Sequence, residues 1–271
     1  MSKKQSDNVS ALTHKGTQVM QTERLTLRPI KADDYKDMYK FTSKEEVAKY
    51  VSWSVHKSID DTKALCEMWA GEYKNGDRYN WAIVYNNTVI GNIDVVKIVG
   101  TTAFLGWQID SDYWNKGIVT EAALAVRDYL FSQIGITAIE ATHIDRNIGS
   151  GRVMQKIGMS RIPDEEFENS LYFKIRGTRE IDGMPLISYI LTKEEWEKLY
   201  ERLGFNLDYE DTTHAHYKID FSKRASSLGA IQLCGDEYEK CSNIGILKKT
   251  LLQSNGRRKL QKETVLFMSL K

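Results

Sequence analysis

The stretch Tyr113-Trp114-Asn115-Lys116-Gly117-Ile118-Val119-Thr120-Glu121-Ala122 constrains the fold of this chain more than any other segment. A strand from Thr102 to Ile109 is expected ahead of it, and an apolar-periodic helix from Val119 to Phe131 behind it. A strand, a glycine turn and a helix start in that order make an anion site. The first N–H groups of the helix lack intrahelical acceptors, and the positive end of its dipole lies beside them. A plain turn is the alternative that the same residues allow. A Walker P-loop is excluded, because Gly-x-x-x-x-Gly-Lys-Ser/Thr does not occur.

A second segment narrows the choice. Asn147-Ile148-Gly149-Ser150-Gly151-Arg152-Val153-Met154-Gln155-Lys156-Ile157-Gly158-Met159 follows the strand-like run Ile136 to Ile144. The two motifs together resemble the coenzyme A site of the GNAT acetyltransferases, in the RimJ/RimL branch that includes ribosomal-protein N-terminal acetyltransferases. The resemblance covers roughly residues 22–199, with Thr22-Glu23-Arg24-Leu25-Thr26-Leu27-Arg28 at its start and Ser188-Tyr189-Ile190-Leu191-Thr192-Lys193-Glu194-Glu195-Trp196 at its end. It implies an α/β (α+β) fold: a mixed, mostly antiparallel sheet with helices on both faces. The fourth and fifth strands splay apart, and the pantetheine arm of acetyl-CoA fills the gap.

Composition sets outer bounds. The 271 residues are 41% apolar and 10% aromatic, enough for a full core. A formal charge of +1 gives no global pull toward nucleic acid or an anionic membrane. No apolar run approaches the roughly 18–20 residues of a membrane span, and Met1-Ser2-Lys3-Lys4-Gln5 does not open a signal peptide. Cys66, Cys234 and Cys241 show no Cys-x-x-Cys spacing, so neither a disulfide framework nor a zinc site is expected. A soluble cytoplasmic protein is the resulting expectation.

Residues 1–21 are polar and aperiodic and read as a flexible lead-in, and 22–199 as the acetyltransferase domain. Arg24–Ile30 alternates as a strand does, and Asp33–Phe41 suggests a helix. Ser58 looks like a helix cap with Asp61 completing a capping box, and Asn86-Asn87 marks a hairpin turn between Trp81–Tyr85 and Thr88–Lys97. Two further strands are expected within Arg161–Ile175 and Pro185–Leu191, and a helix from Lys193 to about Leu203. Residues 200–271 form a C-terminal extension to which the sequence assigns no role. Its basic cluster (Lys248, Lys249, Arg257, Arg258, Lys259, Lys262) fits a solvated tail, with a docking module or RNA-contacting arm as the alternative. His214-Ala215-His216 has no carboxylate or cysteine at a useful metal-ligand spacing.

The resemblance implies acetyl transfer from acetyl-CoA to an amine, without a metal. Lys116, Gly117, Ile118, Val119 and Thr120 would hold the pyrophosphate. Backbone N–H groups at a bulge of the fourth strand, near Gln108 and Ile109, would polarise the thioester carbonyl. Many relatives place a tyrosine acid where Met154 stands, and a thioether donates no proton. Ser150 carries a hydroxyl instead, and reads equally as the N-cap of a helix beginning near Gly151. Asn147 would bond the pantetheine amides or brace its loop. The glutamate common on the fourth strand is replaced by Phe104, ahead of Gly106-Trp107. Asp94, Glu140, His143 and Asp145 remain as candidate bases, each also readable as a structural or surface residue. Trp53, His56 and Trp81 are candidate acceptor-binding residues, with core packing the alternative for the tryptophans and His56 a minor base candidate.

The acceptor bears on the missing base. A protein α-amine, with a pKa near 8, is roughly a tenth neutral at pH 7, whereas lysine is neutral only a few times in about ten thousand. Loss of a strong base therefore favours an α-amine, such as a ribosomal or other protein N-terminus. A polyamine or amine antibiotic is the second reading, and a non-catalytic acyl-CoA-binding protein the third. Monomer and homodimer are both open.

Overall fold

Asn86 and Asn87, both at positive φ (48° and 62°), close the hairpin that starts the sheet. Short polar side chains tolerate the left-handed conformation that such a turn requires. The hairpin joins β2 (Asn80–Tyr85) to β3 (Thr88–Val99), and Gly100 turns β3 into β4 (Thr102–Ile109). In the computed structural model, residues 12–51, 53–202, 205–207 and 217–219 are described. The basic cluster, His214, His216, Cys234 and Cys241 lie outside them.

The sheet runs β1 (Leu25–Pro29), β2, β3, β4, β5 (Ala138–Ile144), β6 (Met184–Thr192), with two-residue strands at its ends, Met20–Gln21 beside β1 and Ser160–Arg161 beside β6. Every pairing is antiparallel except β4 with β5. That parallel ladder ends almost as soon as it starts: Thr102 pairs with Ala138, Ala103 with Ile139 and Phe104 with Glu140, and the strands then part.

Alternation sends odd and even residues of each strand to different layers. Trp81, Ile83, Ile93, Leu105, Ile109 and Ala141 meet α4 (Ile118–Tyr129), α5 (Ile148–Lys156) and α7 (Lys193–Arg202) in one core. On the other face Ala82 and Val89 meet α1 (Tyr35–Thr42), α2 (Glu45–Ala48) and α3 (Ile59–Glu72), through Met38, Phe41, Val47 and Cys66. The Ser58–Asp61 capping box starts α3 as its sequence requires. A buried polar knot ties α4 to α7: Asp128 accepts from Trp196 Nε1 (2.7 Å) and Tyr200 Oη (2.7 Å), and Arg127 donates to the Ile157 carbonyl (2.7 Å).

Two expectations are corrected here. From Leu12 onward the lead-in is held: Thr13 N–H donates to the Ile134 carbonyl, Tyr129 Oη to that of Gly16 and Trp81 Nε1 to that of Gln18. The segment expected as a strand within Arg161–Ile175 is strand only at Ser160–Arg161. It continues as a 3-10 run, Asp164–Asn169, and a short helix, α6 (Leu171–Arg176). Ser170 caps α6 by accepting from Phe173 N–H, a local signal that outweighs the β propensity of Tyr172, Phe173 and Ile175.

Candidate active site

Gly117 occupies the N-cap of α4 at φ 73°, a conformation glycine adopts without a Cβ clash. Its carbonyl accepts the first helical bond, from Glu121 N–H, so the N–H groups of Ile118, Val119 and Thr120 have no intrahelical acceptor. Their side chains are buried beneath the turn. Lys116 Nζ lies 5.1 Å from the Tyr113 ring centroid, at the rim. Arg24 and Glu121 brace this cradle and had no assigned role in the sequence reading. Glu121 accepts from Arg24 N–H (2.9 Å), Arg24 Nε (2.6 Å) and Thr22 Oγ1 (2.5 Å), and Arg24 Nη1 donates to the Lys116 carbonyl (3.0 Å). The joint presence of Thr-Glu-Arg-Leu and Thr-Glu-Ala was the available signal.

Beyond Phe104 and Glu140 a gap opens between β4 and β5. Asp110 N–H donates to the Ile90 carbonyl of β3, so by ladder alternation Gln108 N–H also turns toward β3. The N–H groups of Trp107 and Ile109 therefore turn into the gap. The Ile109 carbonyl is taken by Trp114 Nε1 (3.1 Å), which fixes the end of the strand. Of the two residues near which donors were expected, Ile109 turns its N–H into the gap and Gln108 turns its N–H toward β3. The bulge expected near them is on β3 instead: Val95 pairs with Leu105 and Lys97 with Phe104, leaving Val96 as the extra residue.

The far wall of the gap leads into α5. Its N-cap is Asn147, whose Oδ1 accepts from Ser150 N–H (3.2 Å), so Ser150 sits in the first turn and is not the cap. The Ser150 hydroxyl makes no hydrogen bond within the described residues. Met154 is buried in the core and His143 lies under α5. His143 Nδ1 is 2.7 Å from the Ile144 carbonyl, and a Cβ on Gly151 would come within 2.7 Å of Nε2. Burial keeps this imidazole below its usual range. His143 packs against the helix, away from the acceptor face. Asp145, just beyond β5, lines a cleft with Arg161 and Arg179 of the segment before β6.

The opposite face carries a polar row. Gln108 Nε2 donates to Asn92 Oδ1 (2.6 Å), and Asn92 Nδ2 to Asn80 Oδ1 (3.1 Å). Beside it, Asp94 is flanked by Asn80 and Gly106 on the neighbouring strands. The missing side chain at Gly106 leaves Asp94 Oδ1 uncovered; a Cβ there would lie 3.1 Å from it. Burial pushes the Asp94 carboxyl up to about 6, against the opposing pull of Arg78, whose Nη2 is 3.7 Å away. Glu140 is also raised by burial, but its Oε2 already accepts from Leu171 N–H of α6 (2.6 Å).

Of the acceptor candidates, Trp81 is corrected to a core residue: it is fully buried and makes an edge contact with Tyr129. Trp53 and His56 are half-buried in the loop before α3, their rings 5.6 Å apart. His56 Nδ1 lies 2.7 Å from Thr62 Oγ1, and burial holds its ring below the usual range.

A helix N-terminus with three free donors, a gap between parting strands and two N–H groups aimed into it fit a long ligand with an anionic head and an amide arm. The comparisons agree. Residues 24–160 match the model of the acetyltransferase (GNAT) domain. The uncharacterized N-acetyltransferase YnaD of Bacillus subtilis is 34% identical over 52% of this chain and 81% of its own length. A GNAT-family acetyltransferase structure from Bacillus anthracis is 28% identical, covers 65% of this chain and 99% of its own, and superimposes with a TM-score of 0.54. RimL, the ribosomal L7/L12 α-N-protein acetyltransferase in complex with coenzyme A, shares the fold at 14% identity, covering 65% of this chain and 98% of its own, with a TM-score of 0.54. The parted strands and the glycine-capped helix are thus those of a known architecture, and the chain belongs to the GNAT family as an acetyl-CoA-dependent N-acetyltransferase.

Proposed function

We propose that the acceptor is the α-amine of a peptide or protein N-terminus, and that Asp94 is the base that takes its proton. Acetyl-CoA supplies the activated acetyl group as a thioester. Ile118, Val119 and Thr120 N–H would hold its pyrophosphate, and Asn147 the amides of its arm. The N–H groups of Trp107 and Ile109 offer donors to a carbonyl oxygen in the gap, where such donors are typically worth about 3 kcal/mol each. Ser150 Oγ donates to the departing sulfur.

The observation that carries the reading is Asp94, uncovered over Gly106 and raised to about 6. A base of that strength suits an amine with a pKa near 8 far better than a lysine near 10.4. The same face argues against polycations, since it is lined by the amides of Asn80, Asn92 and Gln108, and its carboxylate Asp94 already faces the Arg78 guanidinium at 3.7 Å. RimL, which acts on a protein α-amine according to its description, supports the assignment at the level of fold.

A panel of peptides, polyamines and aminoglycosides, scored by coenzyme A release, tests it. Turnover of peptides that is lost when the α-amine is blocked is expected. Turnover of polyamines or aminoglycosides alone would overturn it.

A further inference from the structure

The strands part after their third residue pair, Phe104 and Glu140, and α6 is fastened to both members of that pair. The Tyr172 ring lies 5.9 Å from the Phe104 ring, and the Glu140 carboxylate accepts from Leu171 N–H at 2.6 Å. Ser170 caps the same helix end through Phe173 N–H. The apex of the gap is therefore roofed by a segment lying beyond residues 24–160, the stretch that the family shares. Pyrophosphate held at Gly117 lies at the open end of the gap, so an arm running down it brings its reactive end toward this apex.

Phe104 shares its face of β4 with Gly106 and Gln108, which is also the face of Asp94. Tyr172 is half-buried, with its ring beside that of Phe104 on that face. Across it, Tyr50 from the turn after α2 packs against the cluster of Ile144, Phe167 and Leu186 that supports Tyr172 and Phe173. The carboxylates of the 3-10 run, Asp164, Glu165, Glu166 and Glu168, are exposed to solvent. The rings of Phe104 and Tyr172 thus flank the β4 side of the place where the acceptor amine meets its base, while Arg78, paired with Glu72, lies against Asp94 itself.

We infer that Tyr172 is a specificity-determining residue that selects peptides whose first side chain is apolar, and that Glu140 is the positioning residue that holds it there. This rests on the α-amine reading above. Glu140 acts as an acceptor for one N–H and not through its charge, so Gln serves in its place and Ala does not.

The test is steady-state kinetics with peptides identical except for a first residue of Leu, Asp or Lys, alongside the KM for acetyl-CoA and a thermal melt. The wild-type chain is expected to prefer Leu. Tyr172→Ala should raise KM for the Leu peptide about tenfold, while leaving kcat and the acetyl-CoA KM within about twofold, so that the preference collapses. Glu140→Ala should reproduce this loss and Glu140→Gln should retain wild-type selectivity. An equal loss on all three peptides, no loss, or a Glu140→Gln variant as impaired as Glu140→Ala would overturn the inference. If the wild type accepts only small amines, the α-amine reading falls by itself. The same variants on alkyl against polyhydroxylated amines then decide the role of Tyr172: an unchanged alkyl preference overturns it.

Discussion

Asp94, the proposed base, acts against the stability of the fold. Its folded-state pKa of about 6 lies above the ordinary carboxylate value of 3.8, so the fold disfavours its ionised form. Stability from this group therefore falls as pH rises from about 4 to 6, and the penalty persists above that. Asp94→Asn should raise the melting temperature at pH 7.5, by up to about 3 kcal/mol of stability, with no gain at pH 4. The same variant should lower kcat by roughly 10²–10⁴-fold. Melting curves at the two pH values and initial rates check both halves. Ser150→Ala should lower kcat more than it raises KM, because its hydroxyl is not the helix cap. An unchanged kcat would remove Ser150 from the chemistry. At this scale the sequence was only half legible. Asp94, Glu140, His143 and Asp145 were equivalent as letters, and only burial and partners separate them. His143 packs under α5, Glu140 holds α6, Asp145 lines the cleft with Arg161 and Arg179, and Asp94 sits beside Gly106, which puts no side chain over its Oδ1.

Among elements, the turn into α4 is the proposed coenzyme site. Gly117→Asp places a carboxylate against the free N–H groups of Ile118 to Thr120, where an anion is expected to sit. Acetyl-CoA affinity should be lost while the melting transition stays cooperative; undiminished affinity by titration calorimetry would contradict the assignment. This element was legible because its signals are local: a strand, one glycine and an apolar-periodic helix. The Asn86-Asn87 hairpin and the Ser58 cap were legible for the same reason. The short helix α6 was not, because its aromatic and β-branched residues favour a strand and the cap at Ser170 decides otherwise. The bulge at Val96 was equally hidden, since register is set by pairing across strands and not by either strand alone.

At the scale of the whole molecule, α7 must be joined to the main core. Asp128 and Arg127 link α4 to Tyr200 and Trp196 of α7 inside the protein. Asp128→Ala leaves a buried guanidinium without its carboxylate and should cost roughly 3–5 kcal/mol. A lower melting midpoint in denaturant with acetyl-CoA binding retained below the transition is the expected outcome. The overall architecture was legible from two motifs in order, because the gap between β4 and β5 is a consequence of where they place their helices. What the motifs left open is the acceptor, which is proposed to meet the opposite face of the sheet. The measurement that bears on it most directly is mass-spectrometric localisation of the acetyl group on a peptide carrying one free α-amine and one internal lysine. Acetylation of the α-amine alone, abolished in Asp94→Asn, is the predicted result. Acetylation of the lysine side chain, or of both amines equally, would contradict it.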